Sequence, residues 1–122
     1  MIAYVTVGAD DIAQAKQFYS ALLPALGYGL EEGPEGLSYV LPTYPGQSVA
    51  LPDFYVKPTF DGHPASAGNG AMISFEARSQ KQVRDLHSAA LIVWASFLCW
   101  LSSRPSRQQN RIVLQRSERT RT

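Results

Sequence analysis

The hydrophobic pattern of the first 56 residues changes period twice, and that change limits the architectures open to this chain more than any other feature. Residues 1–7 alternate, with Ile2, Tyr4 and Thr6 on one face and Ala3, Val5 and Val7 on the other, as a sheet strand does. After a turn at 8–11, Asp11 followed by Gln14 can cap a helix, and Ile12, Ala15, Phe18, Tyr19, Leu22, Leu23 and Leu26 recur at helical spacing up to Gly27. Pro24 within that stretch predicts a kink or an early helix end. Three strand candidates follow at 28–32, 37–41 and 48–56, separated by the turn compositions GPEG and PTYPG. Pro52 inside the third predicts an edge strand or a bulge. One strand, one helix and three strands in that order make an α+β unit.

The remainder starts to repeat that order. Residues 57–70 hold two prolines and three glycines and read as a linker. Residues 72–77 are β-prone and bounded by Gly70 and Ser79, which predicts a strand. Ser79 with Gln82 has the form of a capping box, and Val83, Leu86, Ala90 and Leu91 fall at helical spacing behind it. The apolar run 89–101 is shorter than the roughly 20 residues that span a bilayer, and periodicity leaves it open between helix and buried strand. Beyond it the chain is polar and basic, and residues 102–122 are expected to be a disordered tail. A single domain over 1–122 is predicted: a first unit at 1–56, the linker at 57–70, a partial second unit at 71–101, and the tail.

The net charge of +1 conceals an uneven distribution. Residues 1–91 carry 5 basic and 9 acidic side chains, whereas 92–122 carry 6 basic and 1 acidic. The tail could draw anions, but nothing after Trp100 interleaves aromatics with the charge, so no nucleic-acid partner is expected. The glycine-rich GHPASAGNG lacks the Lys-Ser/Thr of a phosphate loop and precedes a strand pattern rather than a helix. A single cysteine, Cys99, excludes an internal disulfide, and with a first strand that begins at the N-terminus a cytoplasmic location is expected, with no membrane partner.

Several pieces in order, IAYVTVGADD, IAQAKQFYSALLPALGY, FDGHPASAGNG, AMISFEA and VRDLHSAAL, resemble the vicinal oxygen chelate superfamily. That superfamily includes the glyoxalases, the extradiol dioxygenases and the bleomycin-resistance proteins. The resemblance covers residues 1–91 and implies paired βαβββ units, with the second unit incomplete or replaced at its C-terminal end. A reading-frame change near Leu91 would account for the departure. Relatives of this kind commonly pair, so a homodimer is expected, with or without exchanged segments.

Enzymes of the superfamily hold a divalent metal through His or Glu side chains on the first and last strands of each unit, leaving open positions for a substrate's oxygens. The matching first-strand positions here are Tyr4 and Met72, which are not ligands for such a cation, and Asp53 stands alone on the last strand of the first unit. No metal and no cofactor are therefore expected. Of the two histidines, His63 falls in the linker and His87 in the second helix, neither at a ligand position, and Cys99 has no basic neighbour to activate it. What remains is an aromatic cup for a small apolar or aromatic molecule, with Tyr4, Tyr39, Phe54, Tyr55 and Met72 as the candidate lining. A metal-dependent lyase or dioxygenase of the superfamily, with Asp53 and Glu76 converging on a metal, and a folded but inactive chain are the alternatives.

Overall fold

A computed structural model of the chain describes residues 1–48, 50–66 and 68–102, the last six of these as backbone. The expected disordered tail lies almost wholly outside the described residues. The first unit forms in the predicted order: β1 (Tyr4–Gly8), α1 (Ile12–Ser20), a 3₁₀ turn (Leu23–Leu26), β2 (Gly29–Gly33), β3 (Gly36–Val40) and β4 (Asp53–Lys57). The sheet order is β1-β4-β3-β2, with β1 parallel to β4 and the other pairings antiparallel. The architecture is α+β of the βαβββ type.

Each boundary has a local cause. The Asp11 side chain accepts a hydrogen bond from the Gln14 backbone N–H at 3.0 Å, which satisfies one of the orphan donors of α1. Helix α1 ends at Ser20 and not at Gly27, because Pro24 has no N–H to carry the helix on. The chain tightens into the 3₁₀ turn instead, and Gly27, at φ 97°, closes it by donating to the Pro24 carbonyl. Pro34 and Glu35 form the two-residue connection between β2 and β3, since Gly33 pairs with Gly36. The third predicted strand shrinks to Asp53–Lys57 and lies inside the sheet, not at its edge. Pro52 cannot donate to a ladder, so pairing begins at the next residue, whose N–H reaches the Ala3 carbonyl at 3.3 Å.

One face of the sheet packs under α1. Val5, Val7, Leu30, Leu37, Tyr39, Phe54 and Val56 point to this side and meet Ala15 and Leu23. Phe18 and Tyr39 are both fully buried. The Ser20 hydroxyl lies 3.0 Å from the Tyr39 hydroxyl, so the polar tip of this core tyrosine has a partner. An ion pair between Lys16 and Glu32 ties the exposed side of α1 to β2.

The second unit departs from expectation. Residues 72–77 form no strand. A strand needs a ladder, and these residues find no strand partner among the described residues. Phe75 anchors the segment, edge-on to Tyr28 at 5.9 Å and to Phe54 at 5.2 Å between ring centroids. Helix α2 (Gln80–Ser102) then runs unbroken through the apolar stretch, which settles it as helix. Ser79 Oγ accepts from the Gln82 N–H as in a capping box, but the Gln82 side chain accepts from the Arg78 N–H rather than from that of Ser79. The half-buried stripe of α2 is Gln82, Leu86, Ala89, Ala90, Val93 and Trp94, whereas the predicted Val83 and Leu91 are 55% and 54% exposed. The second unit thus contributes an extended segment and a helix, but no strand among the described residues.

Candidate functional site

The other face of the sheet is open, and strand alternation decides which candidates reach it. In β4, Asp53, Tyr55 and Lys57 point to the open side while Phe54 and Val56 point to the helix. Tyr4 pairs with Asp53 and Thr6 with Tyr55, which puts Tyr4 and Tyr55 diagonally on the same face. Their ring centroids are 5.3 Å apart at an interplanar angle of 31°. The Tyr55 hydroxyl donates to Asp53 Oδ2 at 3.2 Å. Ser38 and Glu31 continue the row across β3 and β2.

Three of the five predicted lining residues are therefore elsewhere. Tyr39 and Phe54 pair with each other in register and lie in the core under α1, with Phe54 5.1 Å from the Tyr19 ring and 6.4 Å from that of Tyr39. They fill space instead of facing a ligand. Met72 is 66% exposed, on a segment that belongs to no strand of the sheet. Neighbours on one strand cannot share a face, so Phe54 and Tyr55 could never both have lined one cup. The sequence also did not single out Lys57, whose Nζ sits 5.4 Å from the Tyr55 ring centroid and 3.2 Å from Glu35 Oε2. Its signal was the same alternation, two residues beyond Tyr55.

The histidines are not drawn in. His63 Nδ1 lies 3.2 Å from Asp61 Oδ2 on an exposed loop that Asp10 holds by accepting from the Ala65 N–H at 2.7 Å, and His87 is exposed on α2. Among the described residues no three His, Cys, Asp or Glu side chains come together. Asp53 with two phenols does not fit the ligand needs of a divalent cation of this superfamily, and no group of three ligating side chains includes Asp53 and Glu76 among the described residues. A separate groove of about 470 Å³ runs between the end of α1 and the start of α2, floored by Ala21, Ala25, Leu86 and Ala89. Gln82 bridges it by donating to the Ala25 carbonyl at 2.9 Å, while of its polar lining Ser79 caps α2 and Lys81 pairs with Asp85 one turn on. Among the described residues no helix is long and apolar enough to cross a membrane.

The tyrosines give this fold a pH signature. Burial pushes the phenols of Tyr19, Tyr28 and Tyr39 above the ordinary 10.0, and the hydrogen bond to Asp53 does so for Tyr55. As pH rises past about 10, unfolded tyrosines lose protons first, so the folded state binds more protons than the unfolded one. The stability these groups contribute is thus present below that value and is lost as pH rises through the raised folded values. Urea midpoints measured between about pH 8 and 11 are expected to fall, and to fall less in Tyr19→Phe. A flat profile would show that these phenols ionise freely in the folded chain.

No family model and no curated protein matches the chain. Among solved structures, it is similar to the crystal structure of a glyoxalase/bleomycin resistance protein from Albidiferax ferrireducens T118. The two share 31% identity and superpose with a TM-score of 0.61, over 75% of this chain and 70% of that one.

Proposed function

Since the chain belongs to the glyoxalase/bleomycin resistance protein family, we propose that it binds a small apolar or aromatic molecule on the open face of its sheet, without a metal. The observation that carries this reading is the tilted pair of Tyr4 and Tyr55, with Asp53 opposite Tyr4 in register and bonded to the Tyr55 hydroxyl. Two rings offer a flat apolar contact, and the carboxylate and hydroxyl orient what lies on it. Metal-free binding is favoured by the donor set, in which one carboxylate is joined by phenols where a metalloenzyme needs imidazoles and further carboxylates.

Half a cup leaves the ligand one wall short. A second copy of this chain is the proposed second wall, because the open face and the exposed Leu91 and Ile92 of α2 leave apolar surface that association would cover. A small hydrophobic core gains stability from such pairing as well.

The test is the melting temperature and metal content of the purified protein, with and without EDTA and with added Mn²⁺, Ni²⁺, Zn²⁺ or Fe²⁺. A ligand that binds only the folded state at about a hundred times its Kd adds about 2.7 kcal/mol, which is several degrees for a domain of this size. No stoichiometric metal and no shift with cations are expected, together with a rise on adding aromatic ligands. A bound equivalent of metal with a clear rise in melting temperature would sink the metal-free reading.

A further inference from the structure

We propose that Tyr4, Tyr55 and Asp53 form a seat for an organic ammonium group, so that the ligand of the open face is a cation carried on an apolar or aromatic body. This rests on the binding reading above and specifies the ligand's charge. Three observations lead to it independently.

The first is that, among the described residues, Asp53 has no cationic partner. The ion pairs of the described residues join Lys16 to Glu32, Lys57 to Glu35, His63 to Asp61 and Lys81 to Asp85, and none includes Asp53. Its contact is the Tyr55 hydroxyl, a neutral donor that leaves the carboxylate charge uncompensated. Glu31, on the same face two strands away, is likewise outside every ion pair of the described residues. The hydrogen bond to Asp53 pushes the Tyr55 phenol above its ordinary value, so at neutral pH it acts as a donor and not as a second anion.

Geometry supplies the second. The faces of phenol rings carry negative potential and attract ammonium groups within about 6 Å of the centroid. Tyr55 already does this to the chain's own Lys57, whose Nζ lies 5.4 Å from its centroid. Lys57 is held at that end of the ring by Glu35. The Tyr4 side of the pair, next to Asp53 in register, has no such resident among the described residues.

Third is the charge of the part that builds the site. Residues 1–91 carry four more acidic than basic side chains, which favours cations over carboxylates there, while the basic excess of residues 92–122 brings the whole chain to +1. A neutral aromatic would use the rings but leave Asp53 unanswered, and an anion would oppose both.

The experiment is titration of the full-length ¹⁵N-labelled protein with benzyltrimethylammonium, benzyl alcohol and benzoate, following the amide signals of β1 and β4. Benzyltrimethylammonium is expected to bind about tenfold more tightly than benzyl alcohol, with benzoate weaker still. That advantage should vanish in Asp53→Asn, whose amide oxygen still accepts from Tyr55, while Tyr4→Leu should weaken both neutral and cationic probes. Melting curves of both variants report folding, and either variant alone suffices for the comparison. Equal binding of the cation and the alcohol, unchanged in Asp53→Asn, would overturn the ammonium seat and leave the binding reading standing. Shifts confined to residues away from β1 and β4 would overturn both.

Discussion

Gly36→Ala is expected to destabilise the protein by about 3–5 kcal/mol, enough to leave a domain of this size mostly unfolded or barely folded. Gly36 opens β3 at φ 135°, a backbone conformation that costs a residue with a Cβ roughly 1–3 kcal/mol. Worse, the added Cβ would lie 2.3 Å from the Val56 carbonyl oxygen, 3.2 Å from Lys57 Cα and 3.3 Å from the Val56 carbonyl carbon. All three are backbone atoms of β4, which cannot swing aside as a side chain would. Relief requires β3 and β4 to part where Leu37 pairs with Val56, at the centre of the sheet. Gly46→Ala is the control, because Gly46 also has a positive φ, 87°, but an added Cβ meets nothing within 4 Å. It should lose only the conformational part, about 1 kcal/mol. Urea denaturation of the two variants separates the terms, and equal losses would mean that the sheet yields at Gly36 without cost.

Phe54→Ala is expected to cost about 3–5 kcal/mol, the range for emptying a buried aromatic site. Phe54 is 3% exposed and its ring meets Tyr19 of α1, Tyr39 of β3 and Phe75 of the segment after the linker. It joins helix, sheet and second unit, so the cavity is not closed by a single neighbour moving in. Loss of the Phe75 contact should also loosen residues 72–77, seen as faster amide exchange there than in Tyr39→Phe, which keeps the ring and removes only the hydroxyl bonded to Ser20. A stability loss below about 1 kcal/mol would show that the aromatic cluster repacks.

How much of this was legible in the sequence follows from how local each cause is. The Asp11 cap, the early stop forced by Pro24 and the GPEG hairpin all rest on chemistry within a few residues, and each took the form the residues indicate, while the first strand, expected from residue 1, forms over Tyr4–Gly8. The Met72 segment failed because a strand is defined by its neighbour. Its β-prone residues meet no ladder among the described residues, and one Phe cannot replace one. The run after Ala89 was ambiguous for the same reason in reverse, since an apolar stretch becomes a helix when no strand is there to take it. Within the site, Tyr4 and Tyr55 could be placed on one face from alternation plus register, but register between strands this far apart is not written locally. Tyr39 and Phe54 were misplaced because aromatic character alone does not say which side of a sheet a residue faces.

The parallel pairing of β1 with β4 also orders events in time. Roughly fifty residues separate Tyr4 from its partner Asp53, whereas β2 and β3 meet across a two-residue turn. At a synthesis rate of about 5–20 residues per second, β1 leaves the ribosome and waits several seconds before its partner exists. The β2–β3 hairpin can close within about 1–10 μs of emerging, and β4 joins it next. The strand made first is therefore the last to dock, and because that long loop must close before any contact rewards it, β1 docking sets the pace at which this sheet is completed.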